Sequence, residues 1–214
     1  MKLSRLFKFR YLSVYIYLLL SKVHWKPREK VIEIILDKIS EEFGNKKYRI
    51  VDIGCGPGLL VKVVEKKGFY YLGIDNNLNS IEFCQEIYSD KSMAEFTVDN
   101  IEDDSIQFTK NDIIVLNGVA HHLNDFQMNN LLKKALPCFA IIIADHLRKS
   151  PNLSLINFFP LILQNLDRGK FIRLYNKFDS LSNYTLYYSE EFAIGVAGIT
   201  FWTYFCNFYR SNSV

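Results

Sequence analysis

Three glycines and a carboxylate lie within seven residues in the stretch RIVDIGCGPGLL, residues 49–60. Asp52 stands near the end of an apolar run that is typical of a buried strand. A second apolar run begins only after the glycines, which are Gly54, Gly56 and Gly58. A tight strand-to-helix turn can present backbone N–H groups to a ligand, and glycines without Cβ atoms let that ligand come close. The stretch therefore predicts a binding loop for a nucleotide-like molecule.

Three kinds of nucleotide-binding loop contain such glycines, and the residues around the glycines distinguish between them. A phosphate-binding P-loop needs Lys followed by Ser or Thr after its last glycine, and no such pair follows here. A dinucleotide loop needs glycine at its sixth position, where this chain has Leu59. The Asp52 carboxylate would repel a pyrophosphate but would suit a ligand with a cationic amine. The P-loop is thus excluded, and NAD remains only as a fallback ligand.

Strand-like and helix-like segments alternate through residues 48–147 and would position this loop. Helical segments separate five strand segments: YRIVDIG, FYYLGID, AEFTVDN, NDIIVLNG and CFAIIIADH. The alternation predicts right-handed crossovers and a parallel sheet that is covered by helices on both faces. Ligands of such sheets bind at the carboxyl ends of the strands, where the glycine loop lies.

The flanking segments complete one predicted domain over residues 1–214. Residues 1–47 are predicted to form two helices, because Pro27 separates the apolar run YLSVYIYLLL from a second stretch with apolar residues at helical spacing. Residues 148–185 are predicted to form a helical cap over the pocket. Residues 186–214 are rich in Tyr, Phe, Thr and Ile, which favours two closing strands.

Composition and charge narrow the class of protein. The net charge of +3 and the lack of a Lys/Arg block predict no nucleic-acid partner. The four cysteines form no CxxC motif, which favours reduced thiols in a cytoplasmic protein. The apolar run at residues 11–20 is about half the ~20 residues that a membrane span needs. We expect it to pack on the domain, and peripheral contact with a membrane surface is the alternative.

The stretch VDIGCGPG resembles the first motif of the class I S-adenosylmethionine-dependent methyltransferases, whose pattern is D/E-x-G-x-G-x-G. YLGID, FTVDNIED and NDIIVLNGVAHHL resemble the motifs that follow in that family, in the same order. The resemblance implies a Rossmann-like α/β fold: a three-layer αβα sandwich with a seven-stranded, mostly parallel sheet whose last strand is antiparallel. It also implies S-adenosyl-L-methionine as the cofactor and methyl transfer to a small-molecule acceptor.

The resemblance assigns roles to residues around the loop. It implies that Asp75 accepts hydrogen bonds from both ribose hydroxyls. It places Asp99 against the adenine amino group and Ile101 against the ring. Carbonyls around Asn117 and Gly118 are expected to face the methionine part. The expected cofactor-binding residues are Asp52, Gly54, Cys55, Gly56, Gly58, Asp75, Asn76, Asp99, Asn100, Ile101, Asn117 and Gly118.

Two adjacent histidines, His121 and His122, follow the fourth strand beside the expected position of the transferred methyl group. Histidine titrates near neutral pH and can take a proton from an acceptor hydroxyl, so either residue is a candidate base. The alternative is that one imidazole holds the loop by hydrogen bonding. Two histidines without a third ligand do not predict a metal site.

Four further residues are candidates for contact with the acceptor. Asp145 and His146 end the fifth strand at the same rim of the sheet, although such residues also cap helices. Arg168 and Arg173 could pair with an acidic or phosphorylated acceptor, or could form a salt bridge between cap and core.

Two other functions stay open from the sequence. The N-terminal apolar run could dock a lipid-modifying methyltransferase on a bilayer. Alternatively, the chain could be a non-catalytic scaffold that keeps the cofactor-binding fold.

Overall fold

The computed structural model describes residues 11–44, 48–101, 106–146, 179–196 and 199–212. Within these ranges the helices are α1 (Leu12–Phe43), α2 (Val61–Lys66), α3 (Leu78–Ile87) and α4 (Asp125–Lys134). The strands are β1 (Arg49–Ile53), β2 (Tyr70–Asp75), β3 (Ala94–Val98), β4 (Asp112–Asn117), β5 (Ala140–His146), β6 (Tyr184–Val196) and β7 (Ile199–Ser211). Short 3-10 turns cover Ala120–His122 and Asp179–Asn183.

The strands form one seven-stranded sheet in the order β3-β2-β1-β4-β5-β7-β6. β1 to β5 pair in parallel, and β7 pairs antiparallel with both β5 and β6. This arrangement confirms the predicted mostly parallel sheet and its antiparallel last strand. β1 lies between β2 and β4, so the strand order reverses there, and open α/β sheets bind ligands at such a point.

Helices cover both faces of the sheet, as the alternation of segments predicts. On one face Ile50 and Ile113 pack with residues of α1, α2 and α3. On the other face Val51 and Ile114 pack with Met128 and other residues of α4. Because successive residues of β1 and β4 point to opposite buried faces, both strands need continuous apolar runs.

The prediction that Pro27 separates two N-terminal helices is wrong, because α1 continues through it. Proline has no N–H, so it removes one intrahelical hydrogen bond. The helix persists because buried side chains on both sides of the proline hold it against the sheet. Trp25 and Arg28 flank Pro27, and Ile32 and Ile35 are fully buried one to two turns later.

The first two turns of α1 pack on α3, as expected for an apolar run that covers the domain. The ring of Tyr11 meets Phe83 edge-on with 5.5 Å between centroids, and Tyr15 meets the same ring at 5.8 Å. Val14 and Cys84 are buried in the same cluster. Among the helices that the structure describes, none is long and apolar enough to cross a membrane.

The predicted helical cap falls mostly on residues 148–178, which lie outside the described residues. β6 begins at Tyr184, two residues before the predicted boundary of the closing strands. The reason is a long-range contact. The Tyr184 hydroxyl donates to the Ala135 carbonyl at the end of α4 over 2.5 Å, and its backbone pairs with Ser211.

A buried carboxylate at the start of β4 supports a stability prediction. Asp112 accepts from Nε and Nη2 of Arg49 at 2.8 and 3.0 Å and from the Thr109 N–H at 2.7 Å. Asp112→Ala should lower the free energy of unfolding by about 2–4 kcal/mol, because these donors lose their acceptor. Urea denaturation followed by circular dichroism measures this change.

The matched control is Lys66→Ala, which breaks the surface ion pair with Glu33. Solvent screens that pair, so its loss should leave the unfolding midpoint unchanged within error. Equal midpoints for Asp112→Ala and wild type would contradict the prediction.

Candidate active site

A cavity of about 620 Å³ opens at the carboxyl ends of the parallel strands. The loops that follow β1, β2, β3 and β4 form most of its wall, and residues of α1, α3 and α4 complete it. The cavity lies at the switch point between β1 and β4. Its volume is in the range of sites that bind small molecules and cofactors.

The glycine loop adopts a backbone that requires glycine. The φ angles of Gly54, Gly56 and Gly58 are 69°, 51° and 71°, a left-handed region that other residues rarely adopt. A Cβ atom on Gly54 would lie 2.6 Å from the side chain of Val119. The Gly54 N–H donates to the Ile74 carbonyl over 2.8 Å, so the loop is fastened to the end of β2.

Asp75 joins two segments of the cavity wall. One carboxylate oxygen accepts from the Gly56 N–H at 2.7 Å, and the other accepts from the Asn77 N–H at 2.8 Å. Asn77 in turn caps α3 by accepting from the N–H groups of Asn79 and Ser80. Each carboxylate oxygen has a further lone pair, so Asp75 can still accept from a ligand in the cavity.

Nine of the twelve residues that the sequence assigns to the cofactor line this cavity. They come from four separate loops: Gly54, Gly56, Asp75, Asn76, Asp99, Asn100, Ile101, Asn117 and Gly118. Asp52, Cys55 and Gly58 are not among the lining residues. The Gly58 carbonyl accepts from the Tyr88 hydroxyl at 3.1 Å, which anchors the loop from behind. Direct contacts of these three residues with a cofactor stay predictions.

Asp52 lies beneath the loop and is only 3% exposed. The Tyr71 hydroxyl donates to it over 2.7 Å. Burial raises the pKa of Asp52 to about 7, and the nearby charge of Asp75 adds to the rise, whereas the Tyr71 hydrogen bond opposes it. Asp52 therefore supports the glycine loop from beneath, and it does not line the cavity.

The structure distinguishes the two histidines. His122 lines the cavity, whereas His121 is buried behind it. Asp145 holds His121 twice, because its Oδ1 lies 2.6 Å from Nδ1 of the ring and its Oδ2 accepts from the backbone N–H at 2.9 Å. The two imidazole centroids are 4.1 Å apart. His121 thus holds the turn by hydrogen bonding, and His122 is the histidine that a ligand can reach.

The predicted acceptor-contact residues are only partly described. Asp145 is buried against His121 and is absent from the cavity lining. His146 ends β5, and its side chain lies outside the described residues, as do Arg168 and Arg173. Over the ranges that the structure covers, no group of three or more His, Cys, Asp or Glu side chains could hold a metal ion.

Sequence reasoning missed the residues that α1 contributes. Ser13, Val14 and Tyr17 line the cavity, and the spacing of Ser13 and Tyr17 by one helical turn could have indicated a shared face. Arg28 was also missed. Its Nη1 lies 3.4 Å from the Asn117 Oδ1. A Cβ atom on Gly118 would lie only 2.6 Å from the same nitrogen, so Arg28 packs directly against Gly118. A cation is thus held behind the end of β4.

Residues 50–139 match the family model described as a methyltransferase domain. The match runs from β1 to the residue before β5 and contains the glycine loop, Asp75 and both histidines. The match covers 90 of the 214 residues, and over them the chain is similar to the class I S-adenosylmethionine-dependent methyltransferases. The cofactor of this family is S-adenosylmethionine, and the cavity residues fit it because they combine carboxylate acceptors, backbone groups and close-approach glycines.

Curated relatives include an enzyme of Rickettsia typhi named ubiquinone biosynthesis O-methyltransferase. It is 28% identical to this chain over 121 residues, which cover 53% of this chain and 47% of the relative. The protein of the same name from Rickettsia prowazekii is 27% identical over an equal length. The match thus spans about half the length of these relatives.

Solved structures share the fold at low sequence identity. The PH0226 protein of Pyrococcus horikoshii superposes with a TM-score of 0.60 at 14% identity, over 89% of this chain and 94% of that chain. A SAM-dependent methyltransferase of Methanosarcina mazei gives 0.59 at 16% identity, over 81% and 96% of the two chains. Both confirm the Rossmann-like α/β architecture of this chain.

The buried Asp52 predicts a pH dependence of stability. Its pKa in the folded protein, about 7, exceeds the ordinary value of 3.8. Between these values the folded protein holds a proton that the unfolded chain has lost, so the free energy of unfolding should fall as the pH rises. The expected fall is on the order of 2–4 kcal/mol.

Urea denaturation at about pH 5 and about pH 8, for wild type and Asp52→Asn, isolates this contribution. The Asn variant cannot ionise, so wild type should lose stability relative to it at the higher pH. A wild-type-to-variant difference that is equal at both pH values would contradict the raised pKa.

Proposed function

We propose that this protein transfers the methyl group of S-adenosylmethionine to a hydroxyl of a small-molecule acceptor. The observation that carries the proposal is that one cavity brings together a cofactor-type wall, with Asp75 and the glycine loop, and a histidine, His122. Bound S-adenosylmethionine supplies an electrophilic methyl group on its sulfonium sulfur. The residues of the chain have to hold it, align the acceptor and accept a proton.

The lining residues suggest how the cofactor is oriented. Asp75 would accept from the ribose hydroxyls, and Asp99 and Ile101 would contact the adenine. Asn117 and Gly118 would then face the amino-acid end. Arg28, held directly behind Asn117 and Gly118, adds positive potential at that end and would favour a carboxylate there.

His122 is the candidate general base. A hydroxyl acceptor must lose its proton as the new bond to carbon forms, and a positioned imidazole can take it. His121 and Asp145 act as positioning residues, because their buried hydrogen bonds hold the turn that presents His122. The Rickettsia relatives are named as O-methyltransferases, which supports an oxygen nucleophile.

We also propose that the protein works in the cytoplasm and without a nucleic-acid partner. None of the four cysteines is in a disulfide, which suits a reducing compartment. The proposed acceptor is a metabolite or a lipid-linked molecule that is accessible from the cytoplasm.

The cofactor assignment is tested by calorimetry with S-adenosylmethionine, S-adenosylhomocysteine and NAD⁺. Wild type should bind both sulfur compounds and not NAD⁺. Asp75→Ala should weaken binding by at least ~50-fold, because the ribose loses its acceptor and the Gly56 and Asn77 N–H groups lose theirs. Asp90→Ala, an exposed acid after α3, is the control and should bind like wild type.

Absence of binding of either sulfur compound to the wild type would overturn the proposed function. Unchanged affinity in Asp75→Ala would overturn the role of that residue alone.

The base assignment is tested by S-adenosylhomocysteine formation with a panel of phenols, catechols and sugars. With an acceptor that supports turnover, His122→Gln should lower kcat by about 10²–10⁴-fold. Affinity for S-adenosylmethionine should stay within about threefold, because the contacts to the ribose and the adenine are assigned to Asp75, Asp99 and Ile101 rather than to His122. A kcat that is unchanged in His122→Gln would refute its role as the base.

His121→Gln separates positioning from catalysis. It removes the ring that contacts Asp145 Oδ1, whereas the backbone N–H still donates to Oδ2, so the free energy of unfolding should fall by about 1–3 kcal/mol. His122→Gln should leave the free energy of unfolding nearly unchanged. The reverse pattern of stabilities would contradict the assignment of the two histidines.

A further inference from the structure

One side of α1 exposes a row of large apolar side chains. Leu12, Ile16 and Leu19 are 49%, 50% and 65% exposed. Their spacing of four and three residues places them on one face of the helix. This exposed face is distinct from the face that packs on α3 through Tyr11 and Val14.

The same side of α1 becomes basic further along the chain. Lys26 and Lys30 follow Leu19 by seven and eleven residues, so helical geometry places them in line with the apolar row. Both residues are exposed. The exposed face of α1 therefore consists of an apolar part, Leu12, Ile16 and Leu19, followed by a basic part, Lys26 and Lys30.

The charge of the chain is strongly segregated along its sequence. Residues 1–28 contain seven Lys or Arg and no Asp or Glu. The remaining residues contain 19 Lys or Arg and 23 Asp or Glu. The net charge of +3 therefore hides a strongly positive N-terminal segment on an otherwise slightly acidic protein.

We propose that the exposed face of α1 docks this protein on an anionic lipid bilayer. A single weak apolar insertion gives only marginal membrane binding, but apolar side chains combined with a polybasic segment give stable peripheral attachment. The anionic surface attracts the positive segment, and the apolar row inserts at the headgroup level. The exposed face of α1 thus combines apolar side chains with basic residues. Its positive charge is complementary to an anionic bilayer, which is why we identify the bilayer as the partner.

Charge also argues against a second copy of the chain as the occupant. In a symmetric dimer each α1 would face its equivalent, so the two positive segments would be brought together. Like charges across an interface oppose association. An anionic bilayer neutralises the same segment.

Docking would place the cavity about one helix diameter from the lipid, because α1 lies between the two. Ser13, Val14 and Tyr17 line the cavity and lie on the same two turns of α1 as the apolar row. An acceptor with an apolar tail could then present its hydroxyl to the cavity from the bilayer. This last step rests on the proposed function, whereas the docking itself does not.

Co-sedimentation of the full chain with vesicles tests the docking. Wild type should sediment with vesicles of mixed phosphatidylcholine and phosphatidylglycerol, and should stay in solution with phosphatidylcholine alone. Leu12→Gln/Ile16→Gln/Leu19→Gln should reduce the bound fraction at least ~10-fold, because the apolar signal is removed. High salt should weaken the binding of wild type, because it screens the basic part.

The matched control is a triple variant in which exposed apolar side chains outside α1 are replaced: Tyr70→Gln, Leu136→Gln and Leu186→Gln. It should bind vesicles like wild type. Circular dichroism and S-adenosylmethionine calorimetry on both triple variants check folding and the cofactor site.

Wild type that stays in solution with the anionic vesicles would overturn the proposal, and so would equal binding by the α1 variant. A dimer that the α1 variant dissociates, without vesicle binding by wild type, would assign the face to a second copy and also overturn it.

The acceptor class is tested with S-adenosylmethionine that carries a radiolabelled methyl group, incubated with the membrane and soluble fractions of the source cells. Label should enter an organic-solvent-extractable product of the membrane fraction. Label only in water-soluble products would overturn the apolar-tail acceptor while leaving methyl transfer intact. Label in no product, or no cofactor binding, would count against the proposed function instead.

Discussion

The carboxylate of Asp75 fixes the cavity, because it bonds to backbone N–H groups of two different loops. Gly56 belongs to the loop after β1, and Asn77 begins the turn into α3. Both loops are held at the carboxyl end of the parallel sheet, where the strand order reverses. Because the Asp75 carboxylate is already held by these two hydrogen bonds, it needs little rearrangement when a ligand donates further hydrogen bonds to it.

The same principle recurs behind the cavity wall. Asp145 bonds to the ring and the backbone of His121, and Tyr71 bonds to Asp52 beneath the glycine loop. In each case a buried polar pair supports a neighbouring segment that reaches the ligand. Buried carboxylates are unfavourable without partners, so each pair is also sensitive to the loss of one member. α1 completes this arrangement by covering the cavity on one side and exposing an apolar and basic face on the other.

The sequence alone determined the five parallel strands, the glycine loop and the edge of the sheet where a ligand binds. These features depend on local patterns. Continuous apolar runs mark strands that are buried on both faces, and alternating helices require parallel crossovers. Parallel strands place all their carboxyl ends at one edge. The resemblance to the methyltransferase motifs assigned Asp75, Asp99 and Asn117 to a cofactor at that edge, and all three line the cavity. Gly54 and Gly56 could be assigned to the loop because only their type allows that backbone.

Only the tertiary structure decided which polar side chains face the ligand. His121 and His122 are adjacent and chemically identical, and Asp145, 24 residues after His121, selects which of them is buried. Asp52 stands in the motif, yet Tyr71, 19 residues later in the chain, holds it beneath the loop. α1 likewise continues through Pro27, because core contacts outweigh the missing hydrogen bond. In each case the deciding contact joins residues far apart in sequence, and no local pattern records it.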